Sequence, residues 1–254
     1  DGNESNPLLK IPRFQVGKVG IERQFEDVLR GSAGVMKVEV NALGRVMRNL
    51  ERKEGKPGNN IQLTVDTELQ AYIQARLGSE SASAVVMNCK SGEILAIASS
   101  PSYDPNKFVK GISYSDFNEL RDNEFRPLAS KTVQDAYPPG STFKIVTALA
   151  ALEANIISPK DNFSCDGKME ISNRLFHCWK KGGHGEMNLA KSLSESCDVY
   201  FYELALKVGI ERINEMAVQL GLGIQHEIPM SAITKGLVPS REWKLKNREQ
   251  DWLV

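Results

Sequence analysis

The residues best suited to chemistry lie in Tyr137-Pro138-Pro139-Gly140-Ser141-Thr142-Phe143-Lys144. A serine hydroxyl is a weak nucleophile until a neighbouring base takes its proton. A lysine serves as that base only where burial or nearby cations lower its pKa. Two prolines and a glycine halt the preceding chain, and the apolar-periodic run from Phe143 starts a helix, which puts Ser141 in the first turn. Three apart on a helix, Ser141 and Lys144 share a face, and the helix N-terminus favours an oxyanion there. The plainer alternative is a capping serine and a solvated lysine. Against it stand the Pro-Pro-Gly approach and the apolar body of Ile145, Val146, Ala148, Leu149 and Leu152, which predict a helix buried almost all round with a polar pair at its tip.

A second constellation is Cys165, Cys178, His184 and Cys197, spaced Cys-x12-Cys-x5-His-x12-Cys. Three thiolates and one imidazole make a complete tetrahedral set for structural zinc, although the spacing matches none of the short finger patterns. A disulfide, buried apolar thiols and a loop-capping histidine remain open on spacing alone. The stretch from Phe176 to Gly185 is glycine-rich and aperiodic, and needs a cross-link to be ordered. His177 is the rival ligand to His184, His226 reads as a loop residue, and Cys89 as a free thiol. Trp179 and Trp243 fit either the lining of a groove or packing, with packing the favoured reading, and the basic run Lys244 to Arg248 reads as a solvated face.

Elements must bring these positions together. Residues 17 to 50 read as a small unit: a helix-period segment with Ile21, Phe25, Val28 and Leu29, then strands Val35 to Val40 and Val46 to Leu50 around a turn. The charged stretch Glu51 to Asn60, rich in Gly, Pro and Asn, is the best domain boundary. Ile61 to Val65 predicts a strand, and Glu68 to Leu77 a helix capped by Asp66 or Thr67. Ala84 to Met87 and Ile94 to Ala98 predict a hairpin around Cys89-Lys90-Ser91-Gly92. Helices follow at Ser141 to Ala154, Leu189 to Val208 and Ile210 to Leu220. A hairpin followed by helices is an α+β pattern.

The 254 residues carry 32 Lys+Arg and 32 Asp+Glu, with 41% apolar and 25% charged residues. That balance excludes an electrostatic grip on nucleic acid and the disordered, collagenous and disulfide-packed classes. The longest mainly apolar stretch, Ile145 to Leu152 with Thr147 inside it, is far short of the roughly 18 to 20 residues that cross a bilayer. No signal pattern opens the chain, and Asp251-Trp252-Leu253-Val254 closes it abruptly. Asp1 is therefore expected to be an internal cut point, with any anchor upstream, and the chain a fragment.

With these residues in hand, the chain resembles the class B penicillin-binding proteins, in their elongation-type group, penicillin-binding protein 2. Ser141-Thr142-Phe143-Lys144 is similar to the family's first active-site box, and Ser196-Cys197-Asp198 to the second, in its Ser-x-Asp form. Gly17-Lys18-Val19-Gly20-Ile21-Glu22 resembles the joint between pedestal and catalytic domain. Ser100 to Asn106 and Pro239-Ser240-Arg241-Glu242-Trp243 resemble further signatures of the group. The resemblance implies an α+β penicillin-binding/transpeptidase fold of the serine β-lactamase-like type, incomplete at its C-terminal side. Residues 1–60 would be a pedestal or dimerisation-like remnant and 61–254 a transpeptidase domain.

The implied activity is that of a peptidoglycan D,D-transpeptidase, a β-lactam target, at the periplasmic face of the bacterial inner membrane. Ser141 would attack D-Ala-D-Ala stem peptides, Lys144 act as general base, Ser196 relay a proton and Asp198 hold the network. The implied partners are a membrane SEDS-type glycan polymerase and elongation scaffold proteins, with no nucleic acid. The group also implies a structural zinc site at Cys165, Cys178, His184 and Cys197, where relatives often carry Asp at the first two positions. A metal at Cys197 would brace the second box from behind.

One departure stands out. The family's third box, Lys-Thr/Ser-Gly, does not occur after Asp198; Thr234-Lys235-Gly236 has the wrong order, and Lys90-Ser91-Gly92 precedes Ser141 and reads as a turn. Two alternatives therefore stand beside the transpeptidase: a non-catalytic, zinc-braced penicillin-recognising or partner-docking module, and a D,D-carboxypeptidase.

Overall fold

A computed structural model of the chain describes residues 7–11, 14–249 and 252. They pack as two units, residues 1–135 with 227–233, and residues 136–226 with 234–254. Among the described residues no helix is long and apolar enough to cross a membrane.

In the first unit the predicted N-terminal helix is two short ones, α1 (Gly20–Gln24) and α2 (Glu26–Arg30), broken at Phe25, whose φ of −108° and ψ of 21° leave the helical range. The Glu26 carboxylate takes the Gly17 N–H at 2.6 Å and pairs with Arg30 at 2.9 Å. Strands β1 (Val35–Val40) and β2 (Val46–Lys53) form an antiparallel ribbon, so β2 runs into the charged stretch where the sequence suggested a boundary. Residues 61–65 are not a strand. They are instead tied to the next hairpin by Thr64 Oγ1 donating to the Ile94 carbonyl and by the Asp66 N–H on that of Leu95.

The Asp66 side chain caps α3 (Thr67–Leu77) by accepting from the N–H groups of Glu68 and Leu69. The hairpin of β3 (Ala82–Met87) and β4 (Ile94–Ser100) follows as expected. Gln70 fastens α3 to it, its amide donating to the Ile97 carbonyl and accepting the Ile97 N–H, both at 2.8 Å. Two helices, α4 (Asn106–Lys110) and α5 (Tyr114–Asp122), occupy the passage that reads as irregular in sequence.

The second unit holds both candidate constellations. A 3-10 turn, Gly140–Phe143, leads into α6 (Lys144–Glu153). Four short strands follow: β5 (Phe163–Cys165), β6 (Lys168–Ile171), β7 (Arg174–His177) and β8 (Gly185–Met187), pairing β5 with β8 and β6 with β7. Then come α7 (Leu189–Ser194), α8 (Asp198–Val208), α9 (Ile210–Gln219) and α10 (Arg241–Arg248). The architecture is α+β.

Helix α6 packs against α8 and α9, burying Val146, Ala148, Ala150 and Ala151 against Tyr200, Leu204, Val208 and Ala217. Small side chains on α6 let the helices approach closely. Two expectations are corrected here. Helix α6 is not buried all round, because Ile145 and Leu149, four apart on one face, stay exposed. The single helix predicted over 189–208 is two, interrupted at Glu195-Ser196-Cys197, because Ser196 adopts φ +51°.

Leu204 is fully buried at the centre of this core. Leu204→Ala should cost about 2–5 kcal/mol, the usual range for such a truncation. A lowered urea midpoint with unchanged slope checks this, and an unchanged midpoint refutes it.

Candidate active site

Ser141 stands in the 3-10 turn and Lys144 opens α6 directly after it. A 3-10 turn has about three residues per revolution, so positions 141 and 144 lie on the same side. Gly140, at φ +57°, allows the sharp entry that a residue with a Cβ would resist. Among the described residues no hydrogen bond joins Lys144 to Ser141; the lysine reaches across to the break between α7 and α8. Its Nζ donates to the Ser196 carbonyl at 2.8 Å, to Ser196 Oγ at 2.9 Å and to Asp198 Oδ1 at 2.7 Å. That uses all three donors of an ammonium group. The Ser196 hydroxyl in turn donates to Ser141 Oγ at 2.9 Å. Four residues from two separate motifs thus form one hydrogen-bonded chain, with Ser196 as the link between nucleophile candidate and amine.

Lys144 and Asp198 are 12% and 24% exposed at the side chain, so their ion pair is shielded from most of the solvent. Ser196 holds a left-handed backbone that a non-glycine residue adopts at a cost of about 1–3 kcal/mol, a strain that collects at functional sites. Neighbouring bonds fix it: the Cys197 N–H donates to the Ser192 carbonyl at 2.9 Å and the Ser196 N–H to that of Leu193 at 3.3 Å.

Cys165, Cys178, His184 and Cys197 lie immediately behind, with their donor atoms all within 4.8 Å of one another and all four residues buried. Cys165 ends β5, Cys178 follows β7, His184 precedes β8, and Cys197 is the N-cap of α8. Three strand ends and a helix terminus converge, which explains why the spacing resembles no short finger. Glycine makes the convergence possible. A Cβ on Gly183, at φ +76°, would lie 2.1 Å from the Cys165 carbonyl oxygen, and one on Gly167 2.3 Å from that of Lys181. All four cysteines are free thiols in this structure, and Cys89 is exposed and apart.

The thiols differ in character. Burial pushes the Cys178 thiol up, but the backbone N–H groups of Lys180, Val199 and Asp198, with the Cys165 side chain, outweigh it and hold the pKa below the ordinary value. Two of those donors are the first N–H groups of α8, a helix N-terminus that favours a thiolate. Cys197 is pushed up to about 12, first by burial and further by Cys165 and Cys178.

His184 turns Nδ1 toward Cys165 and Cys178, 3.5 Å from each sulfur. Zinc with Zn–S of about 2.3 Å and Zn–N of about 2.0–2.1 Å sets tetrahedral ligand atoms about 3.5–3.8 Å apart. The buried Nε2 has no hydrogen-bond partner, its nearest charge being Glu195 Oε2 at 3.9 Å. A sheltered imidazole turned onto thiols fits a metal better than it fits a polar cap. His177 is exposed and outside the cluster, and His226 bonds the Gly221 carbonyl at 2.8 Å.

Sequence reasoning missed Trp179. It reads as packing, but is 64% exposed. Its backbone N–H donates to Asp198 Oδ2 and its indole N–H to the Glu195 carbonyl, both at 3.0 Å. The one available signal was its place directly after Cys178.

Residues 82–251 match the family model for the penicillin binding protein transpeptidase domain, and residues 9–63 that for the penicillin-binding protein dimerisation domain. The chain belongs to the penicillin-binding protein transpeptidase family. Among its relatives, peptidoglycan D,D-transpeptidase MrdA of Escherichia coli K12 is 41% identical over 239 residues, which cover 93% of this chain and 38% of MrdA. Two solved structures are also close. Penicillin-binding protein 2 of Helicobacter pylori in complex with MreC has a TM-score of 0.87 at 34% identity, over 93% of this chain and 45% of that one. Penicillin-binding protein 2 of Pseudomonas aeruginosa in complex with WCK 5153 has a TM-score of 0.81 at 36% identity, over 93% and 50%. The penicillin-binding fold expected from the sequence is therefore present. This penicillin-binding protein chain spans under half the length of its curated relatives.

The Lys144–Asp198 pair sets a measurable stability. Asp198→Ala would leave a shielded ammonium one acceptor short and should cost about 2–4 kcal/mol in urea unfolding. Asp198→Asn, which keeps an acceptor oxygen, should cost roughly half of that. Equal stability of all three proteins would show that the pair carries no weight.

Proposed function

We propose that this chain is part of a peptidoglycan D,D-transpeptidase in which Ser141 is the acylated nucleophile. The hydrogen-bonded chain from Ser141 Oγ through Ser196 Oγ to Lys144 Nζ carries the reading. Ser141 Oγ attacks the carbonyl carbon of the penultimate D-Ala, while its proton passes by way of Ser196 to Lys144 in its neutral form, the general base. The C–N bond to the terminal D-Ala then breaks, and Ser196 returns a proton to the departing amine. An amine of a neighbouring stem peptide attacks the resulting ester, forms the cross-link and frees Ser141. A β-lactam acylates the same oxygen by opening of its ring. Asp198 keeps Lys144 aimed at Ser196 throughout.

Residues 1–60 are assigned to a pedestal remnant and 61–254 to the catalytic domain, with the matches at 9–63 and 82–251 in support. The substrate-carboxylate contact and the second oxyanion donor belong to the family's third box, which these residues do not contain, so the test uses the full-length parent. There the protein works at the periplasmic face of the inner membrane. Its partners are an elongation scaffold, in line with the MreC complex of the Helicobacter relative, and a SEDS-type glycan polymerase.

Cys165, Cys178, His184 and Cys197 would hold a structural zinc ion, a cross-link that would tie three strand ends to the start of α8 and take no part in acyl transfer.

In the full-length protein a fluorescent penicillin should label one serine, and Ser141→Ala should abolish the signal. Labelling that survives Ser141→Ala, or a folded wild type that takes no label, refutes the enzyme reading; the latter with metal still bound points to a binding module instead. Purified protein should carry about one zinc per chain, lost in Cys165→Ser and Cys178→Ser. Metal-free protein with a Cys165–Cys178 disulfide would exclude the zinc assignment.

A further inference from the structure

Trp179 makes polar contacts out of proportion to its exposure. It directly follows Cys178, and its indole meets the His184 ring edge-on, with centroids 5.3 Å apart. From that anchorage it makes two bonds into the second box. Its backbone N–H donates to Asp198 Oδ2, while the other oxygen of the same carboxylate accepts from Lys144. Its indole N–H donates to the Glu195 carbonyl, one residue before the strained Ser196. Residues 178 and 179 therefore grip Asp198 at both ends, because the Asp198 backbone N–H is itself turned onto the Cys178 sulfur. No other described residue outside the Ser141–Lys144 turn hydrogen-bonds the Asp198 carboxylate.

We infer that Trp179 is a positioning residue that couples the Cys165, Cys178, His184 and Cys197 metal cluster to the Lys144–Ser196–Asp198 network. Ligation fixes Cys178 and His184. Trp179 carries that fixity to the Asp198 carboxylate and to the carbonyl ahead of Ser196, and so holds Ser196 Oγ between Ser141 and Lys144. The inference rests on the acyl-enzyme and zinc readings above, and it adds a direction: metal occupancy sets the rate of acylation, and Trp179 transmits the effect.

The test uses the full-length, metal-loaded parent. Acylation by a fluorescent penicillin is resolved into the non-covalent dissociation constant and the first-order acylation step, and metal release to a chelator is followed with a chromogenic zinc indicator. Trp179→Phe keeps the ring on His184 but loses the bond to Glu195. It should slow the acylation step about threefold to tenfold, the range one lost hydrogen bond supplies, with the dissociation constant and metal content unchanged. Trp179→Ala should slow the step further and release metal faster. Stripping the metal should slow wild-type acylation, and slow the Trp179→Ala protein by a clearly smaller factor. Wild-type acylation in both variants overturns the coupling, as does an equal stripping effect in wild type and Trp179→Ala. Should Trp179→Ala not fold, Trp179→Phe decides alone through its acylation step. A wild type that takes no label, or that binds no metal, is the distinct failure of the reading beneath.

Discussion

Lys144 is the point on which the second unit's chemistry turns. A single ammonium group is met by a carbonyl, a hydroxyl and a carboxylate, all from residues 196–198 and more than fifty positions away in the chain. An ammonium held away from water is costly unless its donors are matched, so this arrangement is stable only when the three acceptors stand where they do. The demand runs in both directions. It fixes the start of α6 against the start of α8, and it imposes on Ser196 a backbone that presents its carbonyl and its hydroxyl to the same nitrogen. The left-handed conformation of Ser196 follows from that double presentation. Its hydroxyl, with one side committed to Lys144, has the other free to meet Ser141.

The cysteine cluster answers the same helix terminus from behind. Helix α8 begins with unsatisfied N–H groups, and those of Asp198 and Val199 help to hold the Cys178 thiol below its ordinary pKa. Cys178 thus lies against the start of the helix whose first residue is Asp198, the partner of Lys144. Two constellations that look independent in sequence share residues 195–198, and neither can shift without moving the other. This gives a physical reason for a cysteine in the middle of Ser196-Cys197-Asp198: the central residue of the turn faces inward, with its side chain fully buried, while its partly buried neighbours turn to Lys144.

Much of this was legible in the sequence, and the failures have causes. The Ser-x-x-Lys pair was readable because a helix start following Pro-Pro-Gly is a local signal, as was the Asp66 cap of α3. The break at Ser196 was not. Apolar periodicity from Leu189 to Val208 continues through it, and only a contact with Lys144, distant in sequence, makes the left-handed turn worth its strain. Residues 61–65 carry strand-like alternation but find their partners through a side chain and a cap residue rather than a ladder. The exposed face of α6 at Ile145 and Leu149 was hidden by composition, since an apolar residue says nothing about what covers it. Cysteine spacing suggested a metal set only weakly, because donor residues drawn from three strand ends and a helix start obey no short motif.

The same geometry shows what the proposed cross-link would add to this part of the chain. Strands β5 and β8 have three residues each, and β6 and β7 four, with two separate pairings and no wider sheet. Two-stranded pieces of that length are marginal in water on their own. Strand β7 buries none of its residues. Pairing of these strands therefore adds little to the order that the Asp198 carboxylate requires, where a shift of a few tenths of an ångström would lengthen the bonds of 2.7 and 3.0 Å to Lys144 and Trp179. The metal proposed for the four donor atoms gathered within 4.8 Å would add to it, since coordination fixes distances more tightly than apolar contact does. A metal held there, as proposed, would stand directly behind the turn that carries Ser196 and keep the hydrogen bonds among Lys144, Ser196 and Asp198 in register.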